Sequence, residues 1–127
     1  MADIKIISDG KYYTLDQVNL IVDLEGQGLA IDSNEAHHPK YEAAILLAEG
    51  YLFLLGELVL YVHSNPEVLQ LFLDYVQSLF DLAPKSQVEF RIEIDHESEQ
   101  DTEKQRIAFK GNKESFKDLL DYLNIEE

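Results

Sequence analysis

The chain has 127 residues, 46% of them apolar, enough for one domain (1–127) that buries roughly two-thirds of its unfolded surface. It has no cysteine, which excludes disulfides, thiolate metal sites, iron–sulfur clusters and cysteine nucleophiles. Its 25 Asp and Glu against 10 Lys and Arg give a formal charge of −15, which opposes direct contact with nucleic acid or an anionic membrane and suits a basic protein partner.

The first residues, Met1 to Lys5, lack a basic segment followed by an apolar one, so no secretory signal is read and a cytoplasmic location is expected. Ile4 to Ser8 and Lys11 to Thr14 flank Asp9-Gly10, the form of a β-hairpin with a tight turn. Thr14-Leu15-Asp16-Gln17 matches a capping box, and Leu15, Val18 and Ile21 follow at helical spacing. Val18, Leu20, Val22 and Leu24 also alternate, as in a strand that would turn at Glu25-Gly26-Gln27-Gly28 into Leu29-Ala30-Ile31. The cap and the acidic first turn favour the helix. Ser33 to Lys40 is polar, contains Pro39 and reads as a loop.

From Tyr41 to Val62 the chain is almost continuously apolar and has no Lys or Arg. Glu42, Glu49 and Glu57 each cost about 2–3 kcal/mol in hydrocarbon, so a membrane span is rejected in favour of a long, mostly buried helix. Asn65-Pro66-Glu67 has the signature of a helix start, followed by the amphipathic stripe Val68, Leu71, Phe72, Tyr75, Val76, Leu79 and Phe80. The two helices are expected to form an αα-hairpin. Val88, Phe90, Ile92 and Ile94 then alternate with charged residues, predicting a strand with one face on a core, and Ile107-Ala108-Phe109 is its expected antiparallel partner. Asn112 caps a last helix with Phe116, Leu119, Leu120 and Leu123 on one face. The expected fold is α+β: a small antiparallel sheet packed against a long αα-hairpin and a C-terminal helix.

Glu93, Asp95, Glu97, Glu99, Asp101 and Glu103 place a carboxylate at every second position. On an extended strand such side chains share a face roughly 6.6 Å apart, close to the spacing of successive phosphates, so this comb is the expected partner-binding surface. Its plain alternative is a solvated hairpin tip that protects strand edges. Residues 41 to 83 hold six acids and no base, which leaves the hairpin surface negative or apolar. A helix apolar on all sides must be surrounded, so a homodimer is expected with Glu49, Tyr51, Leu55, Leu58 and Tyr61 at its interface; the same residues otherwise line a ligand pocket.

No metal or cofactor site is expected. His37-His38 are adjacent and chelate poorly, and the stretch from Asp95 to Arg106 lacks the glycine and final glutamate of a calcium loop. No catalytic residue is assigned: Ser33, Ser64 and Ser86 lack a nucleophile elbow, no phosphate loop is present, and Glu49 as an acid–base group is the weaker reading of a carboxylate on an apolar helix. The expected function is therefore an acidic interaction module that blocks a basic, nucleic-acid-binding partner, as immunity proteins, antitoxins and phage anti-defence inhibitors do. An acidic dimeric chaperone for an unfolded or secreted client is the alternative, and a small-ligand binder the third reading.

Overall fold

Local signals place the first helix. Thr14 accepts a hydrogen bond from the Gln17 N–H and Gln17 Oε1 accepts one from the Thr14 N–H, closing the capping box that begins α1 (Leu15–Gly26). In the computed structural model, which describes residues 2–7, 13–33, 51–96 and 105–123, this helix connects β1 (Ile4–Ile7) to β2 (Ile31–Ser33), which pair in parallel. The Asp9-Gly10 turn lies outside the described residues. Of the segments that flank it, β1 is paired with β2 on one side and β3 (Leu52–Tyr61) on the other, and Tyr13 and Thr14 lead into α1.

The largest correction concerns Tyr41 to Val62. Residues 41–50 lie outside the described residues, and Leu52–Tyr61 is the central strand, antiparallel to β1 and parallel to β4 (Gln87–Asp95). Among the described residues, no αα-hairpin forms there, and the helical look of the segment has a local cause. That cause is a β-bulge: Leu54 pairs with Glu89 and Gly56 with Phe90, so Leu55 is an extra residue. The buried positions become Phe53 and Leu55, then Leu58 and Leu60. That three-residue step breaks the alternation that marks a strand and gives the segment its all-round apolar look.

After β3 comes α2 (Val68–Leu82), which begins two residues later than its sequence signal. Asn65 Oδ1 accepts from the Glu67 N–H at 3.0 Å, so Pro66 and Glu67 form a turn before the helix. α2 carries the chain across to β4, and β4 pairs antiparallel with β5 (Gln105–Gly111). The strand, its partner and the helix α3 (Lys113–Tyr122), capped by the Asn112 side chain on the Ser115 N–H, follow the sequence reading. The sheet order is β2-β1-β3-β4-β5, and two of its four pairings are parallel, so the sheet is mixed rather than antiparallel. The α+β class stands.

The inward side chains of the strands and of all three helices join one cluster, which puts the helices on a single face. Phe72 meets Phe90 edge-on at 5.1 Å, Phe90 stacks on Phe109 at 5.3 Å, and Phe116 packs between Phe109 and Phe80. Each buried ring contributes about 1.5–3 kcal/mol relative to exposure, so this chain of rings anchors α2 and α3 to the sheet. Among the described residues, no element covers the opposite face. No helix there is long and apolar enough to cross a membrane.

Candidate functional site

Two polar arrangements grow from the α1–β3 junction. At the bulge, Gly56 has φ +73°, and a side chain there would collide with the Gln17 amide. Gln17 occupies that space and donates through Nε2 to the Ile7 carbonyl at 3.2 Å and the Leu55 carbonyl at 3.4 Å. Thr14 Oγ1 donates to the Leu54 carbonyl at 3.0 Å. One helix turn thus supplies donors to two carbonyls at the bulge and to one at the end of β1. An open cavity of about 250 Å³ lies beside it, bordered by Thr14, Gly56, Glu57, Glu89 and Arg91. Arg91 there pairs with Glu57 at 3.2 Å.

The second arrangement is a cleft of about 310 Å³ between α1 and α2. Asp16, Asn19 and Asp23 line it from one face of α1, at i, i+3 and i+7. Tyr75, Ser78, Leu79 and Leu82 line it from α2, and Phe53 lines it from β3. Asp16 is 6% exposed, and its carboxylate accepts from the Leu54 N–H at 2.8 Å and from the Tyr51 hydroxyl at 3.1 Å. Burial raises its pKa above the ordinary aspartate value, while those two hydrogen bonds pull it back. Burial also raises the pKa of Tyr51, reinforced by the Asp16 charge and hydrogen bond. Tyr75 is pushed up by burial and then by the charges of Asp23 and Asp16. Its hydroxyl makes no hydrogen bond among the described residues. Since no fully buried side-chain polar atom lacks a partner, that hydroxyl opens onto the cleft.

Charge divides by face. Register puts Asp32, Glu57, Glu89, Glu93 and Asp95 on the uncovered sheet face together with Lys5, Arg91, Arg106 and Lys110. Glu93 pairs with Arg106 at 3.2 Å, and the neighbouring signs cancel across the strands. α1 and α2 instead carry Asp16, Asp23, Glu25, Asp74 and Asp81 with no Lys or Arg between them. Asp23 and Asp74 accept from the neutral side chains of Gln27 and Gln70, both at 2.8 Å. Asp81 has a distant cation, Lys113, at 4.0 Å.

Of the comb, Glu93 and Asp95 stand on β4, and both have partners; Glu97, Glu99, Asp101 and Glu103 lie outside the described residues. Glu49 also lies outside them. Leu55 and Leu58 are fully inside the chain's own core, so the all-round apolar helix that argued for a second copy is absent. Tyr51 is half-buried against Asp16, and Tyr61 sits half-buried with its ring 5.9 Å from His63. Ser86 Oγ donates to the Ala83 carbonyl at 2.6 Å and holds a turn. Among the described residues, no group of three His, Asp or Glu is arranged to hold a metal. The sequence reading passed over Asp16, Asn19 and Asp23 as a set, although their spacing on a capped helix was a usable signal. It read Tyr75 only as part of an apolar stripe.

Compared with known proteins, the chain matches no family model, no curated protein and no solved structure. Its functional reading therefore rests on the chemistry of these surfaces.

Proposed function

We propose that this chain is an acidic protein–protein interaction module that engages and blocks a basic, nucleic-acid-binding partner. The observation that carries the reading is the contrast between faces: acids and bases nearly balance across the open sheet, whereas α1 and α2 present Asp23, Glu25, Asp74 and Asp81 with no base of their own, and α3 beside them adds Lys113 and Lys117 against Glu114, Asp118 and Asp121. A balanced face has little long-range field. An uncompensated one attracts cations over about a Debye length and steers a basic protein toward it. An inhibitor of this type competes with a polyanion for a basic groove, and a dense carboxylate surface supplies the matching sign. The comb from Glu93 to Glu103 adds to the acidic charge of the chain. The reading requires a location shared with nucleic-acid-binding proteins, for which the cytoplasm is proposed.

The test starts from the immobilised full chain and host lysate at 50 mM salt, followed by purification of the retained basic protein. Support requires two further results: nucleic acid is displaced from that protein, and displacement weakens as salt rises. A client bound with no dependence on salt or on the acidic residues would instead identify a chaperone. Retention of no basic protein would overturn the proposal.

A further inference from the structure

The cleft between α1 and α2 combines features that a merely solvated acidic surface does not need. Its walls are apolar: Phe53 and Leu79 are buried, and Leu82 at the rim is 62% exposed. Its polar groups are acceptors or can accept, with Asp23 on one side, Asp16 deeper in, and the Asn19 amide nearby. Tyr75 is only 8% exposed, yet its hydroxyl has no hydrogen-bond partner among the described residues. A tyrosine this buried ordinarily finds one. Two neighbouring carboxylates favour a donor that carries positive charge over a neutral one.

We propose that this cleft receives a cationic side chain, arginine or lysine, of the basic partner, with Asp16, Asp23 and Tyr75 around its charged head and Phe53, Leu79 and Leu82 against its aliphatic stem. The inference rests on the proposed function, since it names the chemistry by which that partner is recognised. Arginine and lysine both bury a hydrocarbon stem while keeping the head among acceptors, which is the division this cleft offers. The phenyl ring of Phe53 and the phenol of Tyr75 add aromatic surface beside the cation. The cleft volume of about 310 Å³ accommodates one such side chain.

The experiment titrates the full, isotopically labelled chain with the capped tripeptides acetyl-Gly-Arg-Gly-amide and acetyl-Gly-Lys-Gly-amide, and with putrescine, and follows amide resonances. The expected result is saturable shifts concentrated at residues 16–23 and 75–82 with at least one peptide. Asp23→Asn should weaken that binding about three- to tenfold, and Tyr75→Phe about two- to fivefold, as expected for losing a charged and a neutral acceptor. Asp118→Asn on the exposed side of α3 makes the same charge change elsewhere and should shift the affinity by less than about twofold. Shifts spread over the whole acidic surface, or equal effects of Asp23→Asn and Asp118→Asn, would overturn the proposal. Tighter binding of putrescine than of either peptide would overturn it in favour of a small amine. The two readings fail separately. A captured basic partner that is indifferent to Asp23→Asn and Tyr75→Phe defeats the cleft alone, whereas peptide binding at the cleft with no basic protein captured defeats the inhibitor reading alone.

Discussion

Gly56→Ala tests how α1 is fastened to the central strand. At φ +73° an alanine adopts a left-handed conformation that costs about 1–2 kcal/mol. Its methyl group would also collide with Gln17 Nε2 and drive that amide away from the carbonyls of Ile7 and Leu55. Each of those hydrogen bonds has a net worth of about 0.5–1.5 kcal/mol, so the total loss should be about 2–5 kcal/mol. Gln17→Ala removes the same bonds but leaves room for the new methyl. In that background Gly56→Ala should cost only its backbone strain, so the double variant is less destabilised than the sum of the singles by about 1 kcal/mol or more. Urea unfolding followed by far-ultraviolet circular dichroism measures all four proteins. Additivity within about 0.5 kcal/mol would refute the argument that Gln17 fills the space of the missing side chain.

Asp16→Asn separates burial from hydrogen bonding. Because the folded-state pKa of Asp16 is raised, its neutral form contributes stability that is fully present below the ordinary value, about 3.9, and is lost as pH rises through the raised value. Tyr51, Tyr75 and Asp23 are the titratable groups around it, and the two tyrosines, both raised above their ordinary value, keep their protons throughout this range. The advantage of Asp16→Asn over the parent should therefore shrink between pH 7 and pH 4 in paired urea titrations; an advantage that grows on acidification contradicts the assignment. Thr14→Ala removes an N-cap and the bond to the Leu54 carbonyl and should cost about 1–2 kcal/mol by the same assay, with Thr14→Ser recovering most of it. Arg91→Ala breaks an ion pair with both side chains well exposed and should change stability by less than about 1 kcal/mol, less still at 0.5 M salt.

Where local chemistry decides structure, the sequence was readable. Thr14 and Gln17 cap α1, Asn112 caps α3, and the strict alternation of Val88, Phe90, Ile92 and Ile94 gives β4 its inner face. What failed was the segment whose periodicity is set by a tertiary event. Leu55 is inserted by the bulge, so the buried set Phe53, Leu55, Leu58 and Leu60 steps by two, three and two and satisfies neither template. Leu54 at 41% exposure and half-buried Val59 on the outer face completed the impression of a helix apolar on every side. The parallel pairing of β3 with β4 escaped the sequence reading for the same reason, since a helix at 41–62 leaves no strand for α2 to connect to β4. The candidate site was half legible. Its α1 acids were visible at i and i+7, but the cleft exists only because Tyr75 and Leu82, which look like core positions of α2, face them across a gap. The acidic comb, the most conspicuous pattern in the chain, begins on β4 with Glu93 already paired to Arg106.

The central claim is that the exposed acids of α1 and α2, rather than the net charge, recognise a basic partner. Its most direct test compares two charge reversals of equal size on the captured partner at 100 mM salt. One is Asp23→Lys with Asp74→Lys and Asp81→Lys on the helices; the other is Glu57→Lys with Glu89→Lys and Asp32→Lys on the open sheet face. Both variants change the formal charge of −15 by the same amount. The account predicts that the first weakens binding roughly a hundredfold while the second changes it less than about threefold, because position and not sum sets the interaction. Equal losses for the two variants would contradict it.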